Sequence, residues 1–245
     1  MYPLEVIATS TLDLLAYAPP GWGATLLAGL WNSVLIALGA YALGLMIGVG
    51  GAYGKLYGSP LTRDLLAIYT TVVRAVPELV LILILYFAVT DALNQLVIAL
   101  GGAGFEISGV AAGIAVLGVV QGAYATEVLR GAIQAVPNGQ VEAARAMGMP
   151  GMQIAKRIVL PLMLAFAIPG MSNLWLIVTK DTALLAVVGF SELTQATRQA
   201  ASTTKAFFTF YAAAGLMYLA LSIISTLLFA RIEKWARRGQ RRTGD

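Results

Sequence analysis

The sequence predicts an all-α, polytopic membrane protein that crosses the bilayer five times. Of its 245 residues, 59% are hydrophobic and 11% are charged, whereas soluble domains carry about 25% charged residues. The mean hydropathy of +0.80 agrees with a membrane protein. The apolar residues are gathered into stretches of about 20 residues, the length that a helix needs to cross roughly 30 Å of hydrocarbon.

Five stretches with few or no charges supply the predicted spans. The first follows an opening surface segment, residues 1–22, which Pro19-Pro20 ends, and the last precedes a basic tail at 236–245. A shorter apolar strip at 182–191 cannot cross the membrane alone and is typical of a re-entrant or partly crossing segment. The predicted spans cover about residues 24–53, 65–90, 107–130, 158–180 and 206–231.

The distribution of lysine and arginine predicts that the N-terminus lies outside and the C-terminus inside. Cytoplasmic loops carry an excess of these residues, and this orientation places twelve of the sixteen inside. Arg198 and Lys205 fall outside in this arrangement. The first basic residue is Lys55, so we expect no secretory signal peptide, which begins with positive charge.

The composition excludes several classes of chemistry. The chain has no cysteine and no histidine, which rules out disulfides, zinc held by these residues and a Ser-His-Asp triad. The phosphate-binding pattern G-x-x-x-x-G-K-[ST] is absent, so the chain is not expected to bind ATP. We therefore predict no catalytic residues, no metal site and no bound cofactor. Six of the basic residues fall within 231–245, which indicates a membrane surface rather than nucleic acid.

The predicted inside loop at 137–157 has a distinctive local structure. Asn138 is a possible helix cap, and VEAARAM at 141–147 is built from good helix formers. Gly148 then stands where a helix end needs a left-handed residue, and Pro150 prevents continuation. A second helix from 152 leads into the fourth span. This knuckle either presents side chains to a groove on a soluble partner or folds against its own bundle. The side chains concerned are Ala143, Ala144, Ala146 and Met147.

The same loop resembles the EAA loop of permease subunits of bacterial ABC importers. The matching positions are Glu142, Ala143, Ala144, Gly148, Ile158, Leu160 and Pro161. Further resemblance to the polar amino-acid branch of these permeases is found at 72–87, 127–149, 173–189 and 207–211, and it extends over residues 24 to 235. The segment RAVPEL at 74–79 is most similar to subunits for basic amino acids and opines.

The resemblance implies a type I importer permease of the bacterial inner membrane that works by alternating access. It implies two ATP-binding cassette subunits that hold ATP-Mg, a second permease subunit forming a homo- or heterodimer, and an extracytoplasmic solute-binding protein. Lipids surround the chain, and no nucleic acid is expected. The residues expected to receive force from the ATPase are Glu142, Ala143, Ala144, Met147 and Gly148.

Four charged residues in or near the spans are candidates for the substrate path. Charged groups near the bilayer centre cost about 2.5–3.5 kcal/mol or more, so a functional role is their default interpretation. Arg74 and Glu78 are four residues apart and can pair on one helical face. Lys180 and Asp181 are adjacent and are expected to face different partners. All four either meet an amino-acid substrate or hold helices in register.

Two other classes of function stay open from the residues alone. An ion-coupled secondary transporter or channel is the main alternative, although such proteins often contain inverted repeats and no convincing internal repeat is present. An odd number of spans also does not divide into two equal halves. A membrane enzyme is the least favoured class, because the catalytic groups are missing.

Overall fold

The computed structural model of the protein describes residues 11–99, 101 and 108–238. Over these residues the chain forms helices and turns, without strands. Of the predicted N-terminal segment, residues 11–22 are described, and of the predicted basic tail, residues 236–238 are described. In chain order the elements are α1 (Thr11–Leu15), α2 (Gly23–Tyr57), α3 (Pro60–Ala75), α4 (Glu78–Ala99), α5 (Gly109–Gln134), α6 (Asn138–Ala146), α7 (Gly151–Ile154), a π-helical turn (Ala155–Val159), α8 (Leu160–Asp181), a 3₁₀ helix (Thr182–Val188), α9 (Leu193–Thr204) and α10 (Phe207–Ala236).

The prediction of an all-helical protein with five membrane-spanning helices is confirmed. Within the described ranges, five helices are long and apolar enough to cross a bilayer. The expected topology, with the N-terminus outside and the C-terminus inside, stays a prediction. The five helical stretches are Gly23–Tyr57, Glu78–Ala99, Gly109–Gln134, Gly151–Val188 and Phe207–Ala236.

The second span begins later in the structure than the predicted range of 65–90. Val76 is extended, with ψ of 139°, and separates α3 from α4. A residue before proline is pushed out of the helical region by the proline ring, and Pro77 follows. α3 is therefore a separate amphipathic helix, begun by Pro60 at its first position and by the Ser59 hydroxyl, which accepts a hydrogen bond from the Thr62 amide at 3.3 Å.

Glycines on α2 and α5 allow these two spans to pack closely. A Cβ at Gly48 would lie 2.5 Å from the Ala125 Cβ, and one at Gly44 would lie 2.7 Å from the Gln121 Cβ. In membranes, helix association depends on such close contact between small residues, because lipid is as apolar as the helices themselves. These α2 glycines therefore pack the chain's own helices rather than mark a ligand site.

The apolar strip at 182–191 is not a separate re-entrant segment over most of its length. Residues Thr182–Val188 form a 3₁₀ helix that continues α8 directly. Gly189 ends this helix with a φ of +85°, a left-handed conformation that glycine adopts without strain. The fourth span is thereby extended to Val188, and the chain turns at Gly189 into α9.

A buried carboxylate, Glu192, joins α9 to α2 and α10. Its side chain caps α9 by accepting hydrogen bonds from the Thr194 amide at 2.8 Å and the Gln195 amide at 2.7 Å. The Ser33 hydroxyl donates at 3.3 Å and the Tyr218 hydroxyl at 3.1 Å. Burial raises the pKa of Glu192 above its ordinary value, although these hydrogen bonds oppose the increase.

We expect Glu192→Gln to destabilise the chain by about 1–3 kcal/mol, because the two carboxylate oxygens accept from different backbone amides and glutamine has one acceptor oxygen. The expected measurement is a lower midpoint of thermal unfolding in detergent, by roughly 2–4 °C per kcal/mol. Glu233→Gln is the control, since its carboxylate is 38% exposed. Equal midpoints for the two variants would contradict a structural role for Glu192.

Candidate functional site

The knuckle between the third and fourth spans has the structure that its sequence predicts. α6 ends in a Schellman motif, in which the Met149 amide donates to the Ala144 carbonyl at 3.1 Å and the Gly148 amide donates to the Arg145 carbonyl at 2.9 Å. Gly148 has a φ of +74°. This left-handed residue turns the chain, and α7 then begins after Pro150. Asn138 does not cap α6 as predicted. Pro137 occupies the cap position, and no side chain caps the helix.

Four of the five predicted coupling residues are exposed on this knuckle. Met147 is 84% exposed, and Glu142, Ala143 and Gly148 are exposed as well. Ala144 differs from the expectation, because it is 6% exposed and packs inside the chain. Ala144 lies on the face of α6 that packs against the chain, whereas its neighbours Ala143 and Arg145 are exposed. A partner therefore cannot contact the Ala144 side chain directly.

The knuckle is connected to the fourth span without a break in the helix. α7 passes through the π-helical turn into α8, and the 3₁₀ helix carries the same stretch on to Val188. α8 packs against α5 through Ala167, Met171 and Leu174. The knuckle is therefore joined to the bundle by a continuous, close-packed helical stretch.

Inside the membrane, the structure groups the predicted charges around a tyrosine of α5. The Tyr124 hydroxyl donates to the Glu78 carboxylate at 3.3 Å. The Asp181 carboxyl interacts with Glu78, and the charges of Arg74 and Asp181 act on Tyr124. Four helices, α3, α4, α5 and α8, therefore bring their polar groups to one place. Lys180 is exposed while Asp181 is partly buried, so the two adjacent residues have different surroundings.

The expected helical pair of Arg74 and Glu78 is not formed. The helix is interrupted between them, since α3 ends at Ala75 and α4 begins at Glu78. The salt bridges of the described residues lie elsewhere. Glu78 instead faces Tyr124 and Asp181. Two carboxyl groups so close together repel each other when both are ionised, unless a proton or a cation lies between them.

Sequence reasoning missed two contributions from α5. Tyr124 gave no signal, since a single tyrosine in an apolar span usually only packs. Glu127 and Arg130 lie near the end of α5 and are not among the candidates predicted above. The Lys55 ammonium contacts the Glu127 carboxylate at 2.5 Å, and the Arg130 guanidinium contacts it at 2.8 Å. Their shared i, i+3 spacing on α5 could have revealed this pair.

The Lys55–Glu127–Arg130 cluster links three helices, α2, α3 and α5. Lys55 lies on α2 and also donates to the Thr70 hydroxyl of α3 at 2.8 Å. The side chains of Lys55 and Glu127 are 15% and 17% exposed. A buried ion pair of this kind is costly to break from one side, because the remaining charge is left without a partner. The cluster therefore fixes α3 relative to α2 and α5.

The residues of the site do not form a metal centre. Among the described residues, no three histidine, cysteine, aspartate or glutamate side chains are grouped as a metal would require. The geometry provides an exposed knuckle, a continuous helix leading from it, and a polar cluster between spans.

Known proteins are similar to this chain in sequence. Residues 40–238 match the family model of the binding-protein-dependent transport system inner membrane component. The nopaline transport system permease protein NocQ of Agrobacterium fabrum is 40% identical over 232 residues, 94% of this chain and 98% of NocQ. The histidine/lysine/arginine/ornithine transport system permease protein HisQ of Escherichia coli is 36% identical over 214 residues, 87% of this chain and 94% of HisQ.

Two solved transporters have the same fold. A crystal structure of an amino acid ABC transporter with histidines has a TM-score of 0.75 and 25% identity, covering 87% of this chain and 94% of that chain. The inward-facing methionine ABC transporter MetNI has a TM-score of 0.71 and 19% identity, covering 90% and 100%. The family match over most of the sequence, together with the five spans and the knuckle, establishes that this chain belongs to the binding-protein-dependent transport system inner membrane components, as a permease subunit of an ABC importer in the inner membrane.

Proposed function

We propose that this permease moves cationic amino acids or opines into the cell. The observation that carries the proposal is the pairing of the Glu78 and Asp181 carboxyls beside Tyr124. A cationic side chain or amino group between them would relieve their repulsion. The names of NocQ and HisQ, which refer to nopaline and to histidine, lysine, arginine and ornithine, support this class of substrate.

The complete transporter in this proposal contains two ATP-binding cassette subunits, which hold ATP-Mg, and a second permease subunit. An extracytoplasmic solute-binding protein delivers the substrate. The N-terminus lies outside, so the knuckle at Glu142, Ala143, Met147 and Gly148 lies in the cytoplasm. ATP-driven closure of the cassettes pushes α6 and α7, and α8 carries the displacement to the cluster at Asp181. The transition is an exchange between two states with different access.

The proposal excludes direct docking of Ala144, whose side chain is buried, and gives it a packing role instead. It also leaves Arg74 and Lys180 at the exposed edge of the cluster. There they are available to the carboxylate of an amino acid, because guanidinium and ammonium groups form charge-assisted hydrogen bonds with carboxylates.

We expect uptake of labelled arginine into right-side-out vesicles, with the binding protein added outside, to require internal ATP and to resist a protonophore. The reason is that ATP hydrolysis on the partner subunits, rather than an ion gradient, supplies the free energy. A matched vesicle preparation loaded with a non-hydrolysable ATP analogue is the control. Loss of uptake with the protonophore at unchanged internal ATP would contradict the proposal, and arginine uptake no faster than that of a neutral amino acid would contradict the substrate class.

A further inference from the structure

A groove runs along the inner ends of α2 and α5 and the start of the fourth helical stretch. It consists of two adjoining cavities of about 510 and 340 Å³, each within the size range of small-molecule sites. The two cavities share five lining residues, so they form one continuous surface depression. The shared residues are Tyr57, Ile133, Gly151, Ala155 and Val159.

The groove changes character along its length. Its upper part is lined by Tyr53, Leu160 and Met163, and Leu160 is 46% exposed. Tyr53 and Tyr57 lie side by side with ring centroids 5.0 Å apart. Tyrosines of this kind are enriched at the boundary between hydrocarbon and headgroups. The upper part therefore presents an apolar surface that ends in aromatic rings.

Two cations line the groove, one in each cavity. Lys156 lines the larger cavity and Arg145 lines the smaller one. Both side chains are exposed, and neither takes part in an ion pair with another described residue. Their charge is thus available to an anion that occupies the groove.

The predicted span boundary passes through this groove. The observed helical stretch Gly151–Val188 has its first charges at Lys156 and Arg157 and is uncharged over 158–179. This pattern favours Lys156 in the headgroup region and Leu160 and Met163 at hydrocarbon depth. An occupant must therefore be anionic at one end and apolar at the other. A soluble protein partner satisfies the first requirement but does not reach into the hydrocarbon.

We propose that this groove binds an anionic glycerophospholipid, with its phosphate at Lys156 and Arg145 and the beginning of an acyl chain along Tyr53, Val159 and Met163. Basic pockets between helices on the cytoplasmic side are suited to such headgroups. A lipid bound here contacts both the knuckle and the inner end of α2. The proposal depends on the proposed orientation only for the leaflet that supplies the lipid.

The test is native mass spectrometry of the transporter purified through this chain and titrated with 1-palmitoyl-2-oleoyl-phosphatidylglycerol. We expect this lipid to bind at least about fivefold more tightly than the zwitterionic phosphatidylcholine of the same chains, and Lys156→Gln to remove about fivefold of its affinity, the usual effect of one basic residue at an anionic surface. Arg157→Gln is the matched control, because Arg157 is the adjacent exposed cation and does not line the groove. We expect the Arg157 variant to bind phosphatidylglycerol with unchanged affinity.

A second variant fills the groove without changing its charge. A side chain at Gly151 would meet no atom within 4 Å of its Cβ, so Gly151→Leu should occupy the space, keep the unfolding temperature and reduce phosphatidylglycerol binding several-fold. Equal affinity for the two lipids, or equal losses for the Lys156 and Arg157 variants, would overturn the proposal. Lipid binding that appears only after the cassette subunits have been removed would assign the groove to that protein instead. None of these outcomes depends on whether the transporter carries a cationic amino acid.

Discussion

Gly148→Val should reduce transport by roughly 5- to 150-fold, corresponding to about 1–3 kcal/mol of backbone strain, while the chain still inserts into the membrane. The strain arises because Gly148 has a φ of +74°, a conformation that β-branched residues avoid. A collision is not the cause, since a Cβ at this position meets no atom within 4 Å. The variant must either distort the Schellman motif or redirect α7, and both changes move the knuckle away from its partner.

Gly139→Val is the matched control for this prediction. Gly139 lies near the start of α6, also has open space around its Cβ, and has an ordinary negative φ. Valine is tolerated better than glycine in a helix, so this control should transport normally. Uptake and ATP hydrolysis are measured together, and we expect the Gly148 variant to retain hydrolysis that is no longer linked to uptake. Normal transport by Gly148→Val would refute the docking role of the turn.

Glu78→Gln should reduce the kcat/KM for uptake of arginine by about 10- to 100-fold and should change uptake of its neutral isostere citrulline by less than about threefold. A hydrogen-bonded contact with a charged group contributes about 1.5–3 kcal/mol. The substitution removes the negative charge and keeps the size, and its carbonyl still accepts the hydrogen bond from Tyr124. The interaction with a cation is lost, while the contact with Tyr124 is kept.

Two comparisons make the Glu78 prediction specific. Glu233→Gln applies the same change to an exposed carboxylate near the end of α10 and should affect neither substrate. In the double variant Glu78→Gln/Asp181→Asn, the losses should not add, because both carboxyls act on one cation. Equal losses for arginine and citrulline would instead identify Glu78 as a structural residue that holds α4 against α5.

Much of the fold is readable from the sequence because its physical causes are local. A run of about 20 apolar residues has the length needed to cross the bilayer, and five such runs predict the five spans observed, although the second begins later and the fourth ends later than predicted. The knuckle is readable for the same reason. Gly148 and Pro150 act within one or two residues of themselves, so the helix end and the second helix follow directly from their positions.

The errors arose where a local rule competed with another. The i, i+4 spacing of Arg74 and Glu78 predicted a pair, but Pro77 pushes Val76 out of the helix and separates the two residues onto different helices. The apolar strip at 182–191 was too short to be a span, and the structure adds most of it to the fourth one. Ala144 lies on the buried face of α6, and its role in coupling stays a prediction.

By itself, the sequence determined that the chain is a membrane protein of five helices with a helix–turn–helix knuckle, because hydrophobic length and turn chemistry act over a few residues. Only the tertiary structure decided which distant groups meet: Glu78 with Tyr124 and Asp181, and Lys55 with Glu127. These residues are separated by tens of positions, and their contact depends on how helices pack against each other. That packing is set by the summed fit of many small side chains, which no single motif records.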